Sequence, residues 1–200
     1  MRRNQGAFFR ATILTIYFKP MEENLSSNNI LGFAPCRKAV GLAITDGAAL
    51  QCFKLKPLKR YLTETDKLAA VHGLVIDMFN RFNPKAIITL KLPPQAETGF
   101  NLQLITFLKE FAQSRLLPFY TLTVKQLKGL MSQDNAIKSQ KEMAKILSET
   151  FPELAAYLTS GISKVVKDRE KYYRPLFAAI GLSLSYFKLI EHENINGATA

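Results

Sequence analysis

Residues 29–55 read NILGFAPCRKAVGLAITDGAALQCFKL, and three apolar runs within that stretch decide the fold. The first, 29–34 (NILGFA), and the second, 39–45 (AVGLAIT), are separated by a short turn. Asp46-Gly47 then supplies a two-residue hairpin turn, because glycine readily takes a positive φ. The third run, 48–55 (AALQCFKL), completes three consecutive strands, an antiparallel meander.

Outward from the meander, past the basic knot Lys54, Lys56, Lys59 and Arg60, the period changes. Leu68, Val71, Leu74, Val75, Met78, Phe79 and Phe82 recur at three and four, which predicts an amphipathic helix over 65–82. Asn83-Pro84 stops it. Residues 85–91 (KAIITLK) read as a buried strand, ended by Pro93 and Pro94. Leu102, Ile105, Leu108, Phe111 and Ala112 mark a second helix, closed by Pro118, and 119–123 (FYTLT) is a fifth strand. Phe119 and Tyr120 are expected on opposite faces of it, one in and one out. Helices follow over 124–131, 138–150 and 152–159, with a last apolar helix near 176–190. The order βββαβαβ plus helices predicts an α/β fold: a five-stranded mixed sheet, the meander plus two helix-linked strands, flanked by helices.

Of the 200 residues, 48% are apolar and 22% charged, which excludes a disordered tail protein and leaves material for one core. Cys36 and Cys52 are too few for a disulfide scaffold or a four-cysteine zinc site, so a reducing compartment is the default. His72 and His192 stand far apart, which argues against a histidine metal site; His72 reads as a packing or partner-bonded residue. No run approaches the roughly 18 apolar residues of a membrane span. Residues 1–28 are set aside as an extension, 29–190 as the domain and 191–200 as a tail. The first twenty residues carry Arg2, Arg3, Arg10 and Lys19 with no acid before Glu22. That pattern fits a transit peptide to a mitochondrion or other organelle, or an upstream start with Met21 opening a cytoplasmic protein.

Charge gives the first clue to a partner. The net charge is +11 and the pI near 9.7, which favours a polyanion. Residues 1–60 hold ten basic and three acidic groups (+7), 61–120 six and five (+1), and 121–200 eleven and eight (+3), so the middle reads as a neutral scaffold.

The element order is also that of the ribonuclease H-like fold, and at this point particular residues carry a resemblance. Residues 30–44, ILGFAPCRKAVGLAI, resemble the opening of RuvC-type Holliday-junction resolvases, whose pattern is ILGIDPG, a short turn and a G-x-x-I strand. Asn83-Pro84 before KAIITLK is similar to that family's helix–QPD–strand junction. Residues 118–131 (PFYTLTVKQLKGLM) and Lys138-Ser139-Gln140 resemble its fifth strand, V-K-Q helix and K-S-Q segment; 178–186 (AAIGLSLSY) is similar to its closing helix, DALAIAITH. The resemblance covers about 29–190.

It implies two-metal cleavage by clustered carboxylates, yet this chain has Ala34, Leu90, Pro175 and Ala178 where the four acids are expected. Hydrocarbon offers no oxygen to a hard cation. Asp46, Glu97, Asp168 and Glu170 are the acids that would have to substitute, and each reads more simply as a turn or surface charge. The expectation is therefore no catalytic residue and no metal or other cofactor, with Mg²⁺ entering only if acids have been relocated. A reactive thiol at Cys36 lacks a histidine near it in sequence.

Cations for phosphate contact are expected at Arg37 and Lys38 in the first turn, Lys125 and Lys128 after the fifth strand, Lys138 and Lys141, and Lys171 and Arg174. The run 54–60 and Lys145 add to them, Lys138, Lys141 and Lys145 sharing one helix face, and Tyr172 and Tyr173 are candidates for stacking on bases. The function that follows is a non-cleaving protein that binds branched or duplex DNA, as a homodimer if the resemblance extends so far, and no membrane. An active metal-dependent junction endonuclease with relocated acids, or a protein-interaction subunit kept soluble by its charge, are the alternatives.

Overall fold

The computed structural model describes residues 28–94, 99–132, 137–158 and 164–197, apart from the side chains of 164–171 and 192–197. Along the chain run β1 (Asn29–Pro35), β2 (Ala39–Asp46), β3 (Ala49–Pro57), α1 (Glu64–Phe82), β4 (Ala86–Leu90), α2 (Gly99–Ser114) and β5 (Phe119–Leu122). After them come α3 (Val124–Met131), α4 (Gln140–Thr150), a 3₁₀ segment (Pro152–Tyr157) and α5 (Lys164–Gly197). The strands form one sheet in the order β3-β2-β1-β4-β5. β1 pairs antiparallel with β2 and parallel with β4, and β4 runs parallel to β5. This is the mixed five-stranded sheet that the element order implied.

Alternation along the strands sorts two cores. Leu31, Phe33, Val40, Leu42 and Ile87 point to one face and pack with Val71, Val75 and Met78 of α1 and Leu104 and Leu108 of α2. Ile30, Ala34, Ala43, Phe53 and Ile88 point to the other, under Leu127, Met143, Leu147 and the buried stretch of α5. Each large apolar side chain so buried contributes roughly 1.5–3 kcal/mol before the entropy of ordering it is charged. β1 lies at the centre and is buried along all seven residues.

The helix ends follow from local chemistry. Thr63 caps α1 by accepting from the Asp66 amide, and Asn83 ends it in the left-handed region (φ 42°), donating its N–H to the Phe79 carbonyl at 2.8 Å. Thr123 with Gln126 and Ser139 with Glu142 form reciprocal capping boxes at the starts of α3 and α4.

Four sequence expectations are corrected. The helix expected near 176–190 is one 34-residue helix that runs through Pro175 and past 190. The 152–159 segment is a 3₁₀ turn over Pro152–Tyr157. Lys138 precedes the Ser139 cap, so it does not share a helix face with Lys141 and Lys145. Tyr120 does not face outward: it packs edge-on against Tyr186 of α5, while Phe119 joins the opposite core, because both sheet faces are covered. Among the described residues no helix is long and apolar enough to cross a membrane.

Candidate nucleic-acid interface

One end of the sheet gathers the residues that the sequence singled out. β1, β4 and β5 all finish there, β2 starts there, and α5 lies across β1 and β2. Glycine makes the close approach possible. A β-carbon on Gly32 would strike the carbonyl oxygen of Ala179, and one on Gly41 would strike that of Pro175. Gly41 is the cross-strand partner of Ala34, so Pro175 lies above the end of β1. Phe33 pairs in parallel with Thr89, which sets Leu90 beside Ala34 on the face toward α5, where Ala178 packs into the same cluster.

The structure thus brings Ala34, Leu90, Pro175 and Ala178 to one sheet end. Ala34 and Ala178 are about 1% and 2% exposed and pack within the core under α5. Hydrocarbon side chains supply no ligand atoms, so this set does not fit a divalent cation. Among the described residues no group of three or more His, Cys, Asp or Glu side chains is arranged to hold a metal. Asp46 lies at the opposite end of β1, where its Oδ1 accepts from the Asn28 amide at 3.1 Å. Glu97 and the side chains of Asp168 and Glu170 fall outside the described residues.

Cations surround this end. Arg37 and Lys38 are exposed in the β1–β2 turn, and Lys125 is exposed in the first turn of α3, directly after β5. Lys138 and Lys141 are exposed at the start of α4. Lys128 is different: half-buried, it donates to the Lys138 carbonyl at 3.0 Å, while the Lys138 amide donates to Glu142 at 2.7 Å. It holds the Lys138 backbone in place. Arg174 is exposed beside Tyr173 and shares a shallow cleft with Lys141, Gln140 and Tyr157. The Lys171 side chain lies outside the described residues.

Some expected cations are already engaged. Lys54, only 14% exposed, pairs with Asp77 at 3.0 Å, and Arg81 reaches the same carboxylate at 2.7 Å. Burial works against the Asp77 charge, but the hydrogen bonds and charges of Lys54 and Arg81 prevail and hold its carboxyl below the usual value. Lys145 pairs with Glu149 at 3.7 Å, both exposed. Cys36 is half-exposed in the first turn, whereas Cys52 is buried, which pushes its thiol up. His72 packs as expected, its ring stacked 3.6 Å from that of Phe107, far from this sheet end.

A chain of aromatic rings that sequence reasoning missed runs out of the core to this face. Phe53 meets Tyr157 edge to face at 5.7 Å, Tyr157 meets Tyr173 at 5.4 Å, and Tyr173 meets Tyr172 at 5.3 Å. Tyr157 gave no signal of its own; only the tertiary packing of the 3₁₀ segment between β3 and α5 joins it to the pair. Burial raises the Tyr157 and Tyr172 hydroxyls above their ordinary value, and the Arg60 charge draws Tyr172 partly back. The Arg60 guanidinium itself donates to the Tyr61 hydroxyl at 3.0 Å.

No family model and no curated protein matches the chain. Solved structures do. Thermus thermophilus RuvC is 14% identical, covering 82% of this chain and 96% of that one with a TM-score of 0.58; RuvC in complex with a Holliday junction substrate gives the same identity and TM-score. The yeast mitochondrial Holliday junction resolvase Ydc2 is 12% identical with a TM-score of 0.54, covering 87% of each chain. The fowlpox virus resolvase, solved with substrate Holliday junction DNA, is 13% identical with a TM-score of 0.51, covering 81% of this chain and 98% of that one. Sheet order, helix placement and these likenesses together establish that the chain has a RuvC-like fold, the ribonuclease H-like architecture of Holliday junction resolvases.

Proposed function

We propose that this protein binds branched DNA of the Holliday-junction kind and does not cut it. One juxtaposition carries the reading: a sheet end closed by Ala34, Leu90, Pro175 and Ala178, ringed by exposed Arg37, Lys38, Lys125, Lys138, Lys141 and Arg174. Cations so placed neutralise phosphates, which gives affinity that falls with salt. Cleavage of the two-metal type needs carboxylate oxygens around the scissile phosphate, and side chains without oxygen cannot hold the ions. Binding by this route needs no metal ion. The structures with the same fold solved on junction DNA support branched DNA as the substrate class. Two copies of the chain would set two such faces toward one four-armed substrate.

The test is titration of a labelled four-way junction and a matched duplex, at low and moderate salt, with and without Mg²⁺. The expected result is metal-independent binding, tighter for the junction, weakening steeply with salt, and intact DNA afterwards. Magnesium-dependent cutting would overturn the non-cleaving half of the reading. Indifference to both DNAs at low salt would overturn the nucleic-acid half and leave a protein partner. Sedimentation of the complex reports whether one or two copies sit on each junction.

A further inference from the structure

We propose that Tyr172 and Tyr173, with Arg174 beside them, form a stacking platform for an unpaired nucleobase of the bound DNA. The inference rests on the nucleic-acid reading and adds what that reading leaves open: which feature of the DNA is recognised other than its phosphates. Both rings are half-buried, so each keeps area to offer while being held in place. Their support is the edge-to-face chain through Tyr157 to Phe53, which is 6% exposed and belongs to the core. A base that docks there meets side chains already ordered, so little rotamer entropy remains to be lost.

The electrostatics favour a nucleotide over an apolar peptide. Arg174 and Lys141 share the cleft with Tyr173 and Tyr157, and the Arg60 charge offsets part of the rise that burial gives the Tyr172 hydroxyl. Among the described residues no acidic side chain lines that cleft; the nearby Glu142 is turned back to accept the amides of Lys138 and Ser139 at the cap. Aromatic faces flanked by cations match a base and its phosphate, and such stacking tolerates any base because every base has a π face. The platform sits at the start of the buried part of α5, next to Pro175, so a base stacked there belongs to the strand crossing the closed sheet end. A fully paired duplex offers no such base, whereas a fork, or a branch point whose central pairs open on binding, does.

The experiment compares a fork carrying unpaired bases with a blunt duplex of equal length, using the full chain. Wild type is expected to favour the fork. Tyr172→Ala should lose roughly tenfold in affinity for the fork and less than about twofold for the duplex, the scale of one lost base stack. Tyr172→Phe, which keeps the ring, should restore fork binding. Irradiation of a fork bearing 5-iodouracil at the unpaired position should crosslink to Tyr172 or Tyr173. Tyr173 packs on Tyr157, so Tyr173→Ala is used only if its melting matches wild type, and Tyr172 decides the matter alone. Equal loss on fork and duplex, or no loss on either with the crosslink elsewhere, would overturn the platform while leaving DNA binding intact. Failure of the wild type to bind either DNA would overturn the underlying reading, and the platform with it.

Discussion

The carbonyl oxygen of Pro175 occupies the place where a β-carbon on Gly41 would stand. The obstacle is backbone on both sides, so neither partner can rotate away. Gly41→Ala should therefore lift α5 from the sheet and cost about 2–3 kcal/mol, a fall in Tm of roughly 5–10 °C for a chain of this size. The identical change at Gly73, in α1 with nothing within 4 Å of the new carbon, should instead stabilise by about 0.5–1 kcal/mol. Thermal melts of the two variants check both signs.

Phosphate contacts should register as salt dependence rather than as loss of fold. Arg37→Ala with Lys38→Ala is expected to lower the slope of log affinity against log salt by about 2, near 0.9 per contact. Lys145→Ala should leave the slope unchanged, because its ammonium is already paired with Glu149. Lys128→Ala should behave differently again: no phosphate is lost directly, but the Lys138 carbonyl loses its donor and affinity falls through misplacement of Lys138. Titrations at four salt concentrations separate the three cases.

His72 should make stability pH-dependent. Its Nε2 is buried without a hydrogen-bond partner, and burial lowers its pKa below 6.5. The unfolded chain then binds the proton more readily than the folded one, so stability is fully present above about pH 6.5 and declines as pH falls toward the depressed folded value. His72→Phe keeps the stack on Phe107 and should flatten that decline. Urea midpoints at pH 7.5 and 5.5 measure the difference, which should be larger for wild type.

Leu116 is strained. It ends α2 at φ 54° with its side chain 94% exposed, so it carries the left-handed penalty and gains no burial in return. Leu116→Gly should stabilise by about 0.5–1 kcal/mol after the entropy of the more flexible unfolded chain is counted, raising Tm by roughly 1–4 °C. An unchanged or lower Tm would contradict the strain.

What the sequence made legible was local. The meander shows in apolar runs broken at Asp46-Gly47, and α1 in the three-and-four spacing from Leu68 to Phe82. The last helix was legible only over its apolar part near 176–190, because the polar turns on either side of it carry no apolar periodicity. The capping box Ser139–Glu142 was present in the sequence and places Lys138 outside α4. Nothing local marks Gly32 and Gly41 as seats for a helix more than 130 residues further along, or joins Tyr157 to Tyr173. The four hydrocarbons at the sheet end were picked out by resemblance alone; the meeting of Ala34 and Leu90 with Pro175 and Ala178 of α5 is tertiary.

The bond from Lys128 to the Lys138 carbonyl works like the fixed jaw of a caliper. Cations on long side chains usually follow whatever anion approaches, yet here the backbone that carries Lys138 is clamped to α3, the helix that carries Lys125. The backbone positions from which the two lysines reach out are thereby set by the fold. On the proposed reading, a polyanion would meet two lysines whose stems already start from fixed points, and only the side chains would have to adjust.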